Sequence, residues 1–268
     1  LSGTERKTSV ISDVSMPGSA FSGTFDGQKH TIKGLNIKDA TAAYKGLFGS
    51  INGATIRNLK VEGSVSSSNN YVGGIVGKIW SGTVENCSFH GTVTTKSGAY
   101  AGGIAGYAGN SSSQKATIKG CANIGDITGG VVGGIAGYAK FSMLTNCYNT
   151  GSVNGSTYSG GIVGQNMNRT NITYCFNTGT IEGTDIGAIA GFAAISNCYW
   201  TKPEDGKGGG AGKINEDGKV DSIASVIEKL GDAFKVVGGE VVLAWEAGST
   251  SAEKNPRIVI SGGSTLQM

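Results

Sequence analysis

The sequence predicts an all-β fold: a right-handed parallel β-helix with three strands per coil and about seven coils, closed by a small C-terminal helix-and-strand cap. Three observations predict it. The first is a phrase of glycine, two apolar residues and glycine, present as Gly46-Leu47-Phe48-Gly49, Gly74-Ile75-Val76-Gly77, Gly103-Ile104-Ala105-Gly106, Gly134-Ile135-Ala136-Gly137 and Gly161-Ile162-Val163-Gly164. A sixth copy, Ile189-Ala190-Gly191, follows Gly187-Ala188. The first apolar positions (47, 75, 104, 135, 162 and 189) are 28, 29, 31, 27 and 27 residues apart. Such a period marks stacked units, each unable to bury its apolar face alone. The second observation is three short strand patterns per repeat, separated by Ser, Asn and Gly, with no helical pattern between them. The third is that single residue types return at single phases of the repeat, cysteine above all.

The elements follow in order. Residues 1–22 form a lead-in and the start of the first coil, with Val10 to Val14 reading as a strand. Residues 23–200 form the β-helix; in its second repeat the strands are Tyr71 to Val76, Thr83-Val84 leading into Cys87, and Gly91-Thr92-Val93. The third strand returns as Gly63-Ser64-Val65, Gly125-Asp126-Ile127, Gly151-Ser152-Val153 and Gly179-Thr180-Ile181. Residues 201–247 hold a glycine-rich loop (206–212), then a capping helix. Asp221-Ser222 offers its N-cap, Ile223, Val226, Ile227 and Leu230 its apolar face, and Gly231 its stop; a strand from Val241 to Trp245 follows. Residues 248–268 read as a tail or linker. Repeat arrays need such atypical ends, because an open coil exposes core and strand edges.

Composition excludes several classes. Glycine reaches 47 of 268 residues without a triplet period, and only 3 prolines are present, so the chain is not collagen-like. A net charge of +3, spread without clusters, offers no nucleic-acid footprint. No apolar stretch is long enough to cross a bilayer as a helix, so no direct membrane insertion is expected. The five cysteines, Cys87, Cys121, Cys147, Cys175 and Cys198, share one phase with Leu59. A slot that accepts leucine or cysteine is small, apolar and buried, which predicts reduced thiols stacked in a column. Metal ligation is not expected there, because neither His nor a second Cys stands at ligand spacing.

Gly46-Leu47-Phe48-Gly49 is the phrase that names the GLUG motif. With its five variants and the lead-in Phe21-Ser22-Gly23-Thr24-Phe25-Asp26-Gly27, the chain resembles GLUG-repeat bacterial surface proteins over roughly residues 10–247. The resemblance implies secretion, display on a bacterial cell surface, and an adhesive or non-catalytic part in a larger multidomain protein. It carries over no catalytic residue.

Aromatic columns are the candidate chemistry. Tyr71, Tyr100 and Tyr158 stand four residues before the motif isoleucine, interrupted by Val131 and Asp185. Tyr107, Tyr138 and Phe192 stand three after it, interrupted by Lys78 and Gln165, and Tyr148, Phe176 and Tyr199 follow the cysteines. Aromatic rows on a rigid sheet suit stacking against sugar rings. The Tyr71, Tyr100 and Tyr158 row has small or polar neighbours and is expected to face solvent, as a site for surface glycans or host extracellular-matrix proteins. Asparagines at 58, 86, 146 and 197, and at 123, 149 and 177, read as stacked turn amides.

The expected function is a non-enzymatic module for adhesion or rigid spacing. The alternative is a polysaccharide-active β-helix enzyme, a lyase or glycoside hydrolase. Such chemistry needs gathered carboxylates, yet Glu62, Glu85, Asp126, Glu182 and Asp185 occupy different strands or turns, and His30 and His90 lie far apart. The stretch Asn215 to Asp221 resembles part of a calcium loop, but Lys213 and Ala224 stand at its end-ligand positions, so no metal or cofactor is expected.

Overall fold

The computed structural model describes residues 3–13, 16–167, 169–192, 195–201, 234–237, 240–243 and 259–261. The chain winds a parallel β-solenoid of about six turns. Thr24–Ala40 pairs in parallel with Phe48–Ser67, which pairs with Val76–Thr95. Beyond these long strands each turn divides into shorter ones, such as Ala136–Lys140, Ser142–Thr145, Tyr148–Asn149 and Val153–Gly160.

Register turns the repeat into buried columns. Val76, Ala105, Ala136, Val163 and Ala190 stack in one; Ile56, Val84, Ile118, Leu144 and Ile172 stack in a second. Val65, Val93, Ile127, Val153 and Ile181 form the third. These side chains are almost wholly shielded from solvent, as are Leu47, Ile75, Ile104, Ile135, Ile162 and Ile189 of the motif. Each buried Val, Leu or Ile contributes about 1.5–3 kcal/mol.

The two motif glycines are demanded by close approach. A methyl group on Gly106 would lie 2.3 Å from the Val72 amide nitrogen of the preceding turn. One on Gly103 would lie 2.3 Å from the Asn123 side-chain oxygen and 2.6 Å from the Gly134 carbonyl. Both contacts are far below van der Waals separation, so no side chain fits at either place.

The cysteine column is as expected. All five thiols are free and buried. Each single S–H is shared between the carbonyl two residues before it, as for Cys87 and Glu85 at 3.2 Å, and one on the preceding turn, as for Cys121 and Val84 at 3.5 Å. Burial, followed by the adjoining thiols, pushes Cys121 and Cys175 well above the ordinary thiol range. The residue before the slot is left-handed in every turn: Asn58, Asn86, Asn146 and Asn197 have φ near 50°, and Gly120 and Tyr174 fill the same place. Asparagine tolerates this backbone better than other side-chain-bearing residues.

The second asparagine group stacks as expected, and does so inside the solenoid. Asn123, Asn149 and Asn177 are completely buried. Asn123 Nδ2 donates to Asn149 Oδ1 at 2.7 Å, and Asn149 Nδ2 to Asn177 Oδ1 at 2.8 Å. Each Nδ2 also donates to the glycine carbonyl two residues on, at 2.7, 2.8 and 3.0 Å. This amide ladder fills the space that the first motif glycines, Gly103, Gly134 and Gly161, leave open.

The ends depart from the expectation. Of the expected strand, Val10 to Asp13 form no strand and only Ile11 bridges, to Phe48, while Val14 lies outside the described residues. Ser12 turns left-handed, the Asp13 carboxylate accepts from the Ser9 amide and from Lys45 Nζ, and a 3-10 turn stands at Pro17–Ser19. Val10, Ile11 and Phe21 still bury against the first turns. Near the C-terminus Phe234–Val237 and Glu240–Leu243 pair antiparallel, overlapping the expected strand. The expected helix over 221–231 and the loop over 206–212 lie outside the described residues. Within the expected tail, Val259–Ser261 pairs antiparallel with Thr24–Asp26 along the edge of the first turn.

Candidate functional site

Aromatic residues gather where the motif bends the chain. Tyr71, Tyr100 and Tyr158 do share a register column, with Val131 between Tyr100 and Tyr158 and Asp185 beyond. The structure brings only two of the three together. The Tyr71 and Tyr100 rings are parallel within 2° at 5.9 Å, whereas Tyr158 packs instead on Phe192, also at 5.9 Å.

The second column, Lys78, Tyr107 and Tyr138, lies directly against the first. Tyr107 meets Tyr71 edge-on at 5.2 Å, Tyr138 meets Tyr100 at 5.1 Å, and Tyr107 stacks on Tyr138 at 4.7 Å. Positions four before and three after the motif isoleucine flank one bend, so their side chains become neighbours. The rings therefore cover one another: Tyr71, Tyr100 and Tyr107 are half-buried and Tyr138 is buried, where the sequence led us to expect a solvent-facing row.

Two further residues join the patch. Tyr44 lies 5.1 Å from Tyr71 and, nearly parallel, 6.4 Å from Trp80. Tyr44 escaped the repeat pattern because it stands three residues before Leu47 instead of four. Trp80 stands at a phase where no other repeat carries an aromatic residue.

The patch is held away from its easiest conformation. Tyr44 and Tyr71 are left-handed, with φ of 62° and 64°. For a bulky residue this costs about 1–2 kcal/mol, and such strain concentrates where a surface is shaped for use. The Trp80 Nε1–H is buried without a hydrogen-bond partner among the described residues. Burial raises the hydroxyl pKa values of Tyr44, Tyr71, Tyr107 and Tyr138 above their ordinary value.

Lys78 sits inside the patch. Its Nζ lies 3.7 Å from the Trp80 ring centre, 4.4 Å from Tyr107 and 5.4 Å from Tyr71. Burial, and secondarily the charge of Lys140, lower its pKa to about 8.

The third aromatic column is structural: Tyr148 and Phe176 are buried and stack at 6.2 Å. Most of the carboxylates are taken up elsewhere. Glu62 pairs with Lys60 and Lys33, Glu85 with Lys119, and Asp26 with Arg57; Glu182 accepts from Asn154, and Asp126 from the Ser152 amide. Burial first, then Lys60, lowers the His90 pKa to about 4, leaving the imidazole neutral. A shallow depression of about 310 Å³ lies between Lys115, Phe141, Met143 and Arg169; no acid lines it. Among the described residues no cluster of His, Cys, Asp or Glu is arranged to hold a metal ion, and no helix is long and apolar enough to cross a membrane.

A parallel β-solenoid turning on paired glycines, with an aromatic patch beside the turns, defines a repeat module. The repeats are of a known kind: the model of the GLUG motif matches residues 68–94, 128–154 and 155–182, so the chain carries GLUG repeats. A crystal structure of a candidate immunoglobulin A1 protease from Bacteroides ovatus shares the fold. Its TM-score is 0.65 at 25% identity, covering 82% of this chain and 76% of that one. Halomucin of Haloquadratum walsbyi (strain DSM 16790 / HBSQ001) is 39% identical over 75 residues, which is 28% of this chain and 1% of Halomucin.

Proposed function

We propose that the chain is a non-enzymatic, glycan-adhesive module of a larger secreted protein displayed on a bacterial cell surface. One observation carries this reading. Tyr44, Tyr71, Trp80, Tyr100 and Tyr107 form a continuous aromatic patch, two of whose members are strained into the left-handed region. Sugar rings stack on such faces through their C–H edges, and tyrosine hydroxyls at the rim supply orienting hydrogen bonds. Secretion and surface display are supported by the GLUG repeats and by the likeness of one stretch to Halomucin.

A glycan array with the purified chain tests the proposal. Binding is expected, and Tyr71→Ala with Tyr100→Ala should weaken it tenfold or more, as for aromatic anchors elsewhere. Tyr158→Ala, in its separate contact with Phe192, should leave it unchanged. An array without any hit would replace adhesion by a spacer role, and binding only to matrix proteins would move the ligand to another class.

A further inference from the structure

The described chain has two deeply buried lysines, and they are treated differently. Lys45, 2% exposed, is paired with Asp13. Lys78, 6% exposed, has no carboxylate within ion-pair distance and no side-chain hydrogen bond among the described residues. Its ammonium rests on three aromatic rings alone. Lys140, its Nζ 5.6 Å from the Phe141 ring centre, bears a charge that acts on Lys78 and likewise has no ion-pair partner among the described residues. Among the other described lysines, Lys33 and Lys60 are matched by Glu62 and Lys119 by Glu85, and the unmatched Lys29, Lys96 and Lys115 are exposed to water.

An aromatic box attracts cations, but this one already holds the protein's own ammonium. A cationic ligand would meet like charge. A neutral sugar would stack and leave two positive charges uncompensated in partly desolvated surroundings. An anion supplies what is missing, and a charge-assisted bond to it is about twice as strong as a neutral one. We propose that the aromatic patch takes an acidic sugar, stacked on the tyrosine rings with its carboxylate against Lys78 and Lys140. This rests on the glycan reading above and narrows it to pyranose carboxylates, whether the uronates of plant and bacterial polymers or the sialates of host glycans.

The test measures affinity of the full chain for two acidic ligands and their neutral counterparts: oligogalacturonate against oligogalactose, and sialyllactose against lactose. At least one acidic ligand should bind tenfold or more tightly than its counterpart, and which pair shows the difference identifies the source. Lys78→Met should abolish the preference, bringing affinity for the acidic ligand down to that for its neutral counterpart, while the urea midpoint persists. Lys78→Arg should keep it. Lys140→Met, at a half-buried site, should reduce it several-fold and provides a second variant should Lys78→Met fold poorly. The preference should also fall between pH 7 and pH 9.5, as Lys78 loses its proton near pH 8. The groups facing that amine are Tyr71, Trp80, Tyr107 and Lys140; burial holds the tyrosines neutral through this range. Equal affinity for acidic and neutral ligands, or a preference that survives Lys78→Met, overturns the inference and leaves glycan binding standing. Failure of every glycan, neutral or acidic, overturns both.

Discussion

Replacing Asn149 tests the interior directly. Its side chain accepts from Asn123 at 2.7 Å and donates to Gly151 and Asn177, both at 2.8 Å, with no access to solvent. Asn149→Ala removes three hydrogen bonds at about 1 kcal/mol each and strands one Asn123 proton and the Gly151 carbonyl in a dry interior. The expected loss is about 3–5 kcal/mol. With a urea slope of about 3 kcal/mol/M, the midpoint should fall by about 1–1.7 M. Asn149→Asp is worse at neutral pH, because a carboxylate oxygen would replace Nδ2 opposite two other oxygens. Only the protonated acid fits, so its folded-state pKa must rise above the unfolded value of about 3.9. The folded form then binds more protons in that window, and stability declines by up to about 1.4 kcal/mol per unit as pH rises through it. Urea titrations at pH 4 and pH 7 should show the aspartate variant recovering in acid relative to alanine. A midpoint shift below about 0.3 M for Asn149→Ala would show that the ladder contributes little and would refute the reasoning.

Three other outcomes are expected. Native protein should react slowly with a thiol reagent, and after denaturation without reductant about five thiols should titrate; disulfides found by mass spectrometry would contradict the buried column. Tyr174→Asn should stabilise by about 0.5–1 kcal/mol, because Tyr174 is exposed and left-handed at a place where four other turns use asparagine; an unchanged urea midpoint would remove the strain it implies. Asp13→Ala should cost about 3–5 kcal/mol by leaving the Lys45 ammonium buried and unpaired, and Asp13→Ala with Lys45→Met should recover much of it; equal losses in the single and double variants would sink that account.

What repeats at a fixed phase was legible in the sequence, because one packing environment recurs in every turn. The glycine-bounded motif, the cysteine slot and the left-handed asparagines before it all follow from that rule. Asn123, Asn149 and Asn177 were visible as a column, yet their side chains point inward. A buried amide is stable only when the next turn presents its partner in register, a relation between turns that no single repeat displays. Gly125, Gly151 and Gly179, each two residues on, were the available signal. The patch was half legible. Both tyrosine columns could be read, but that they face one another depends on how the bend between them folds, and Tyr44 and Trp80 stood off phase. The row's exposure was misjudged for the same reason: its cover came from the other column.

The amide ladder also bears on how the chain meets force. In a parallel solenoid the hydrogen bonds between turns run in the direction of stacking, so a pull on the two ends loads them in tension. Turns then fail in series, each giving up only the contacts to its neighbour. The span joined through Asn123, Asn149 and Asn177 carries an extra row of bonds in parallel with the backbone. Under a steady pull the outer turns would peel first and lengthen the tether, while this clamped middle holds. Drawn out in an optical trap, the wild-type chain should give small early steps and one late, stronger rupture, and Asn149→Ala should erase the difference.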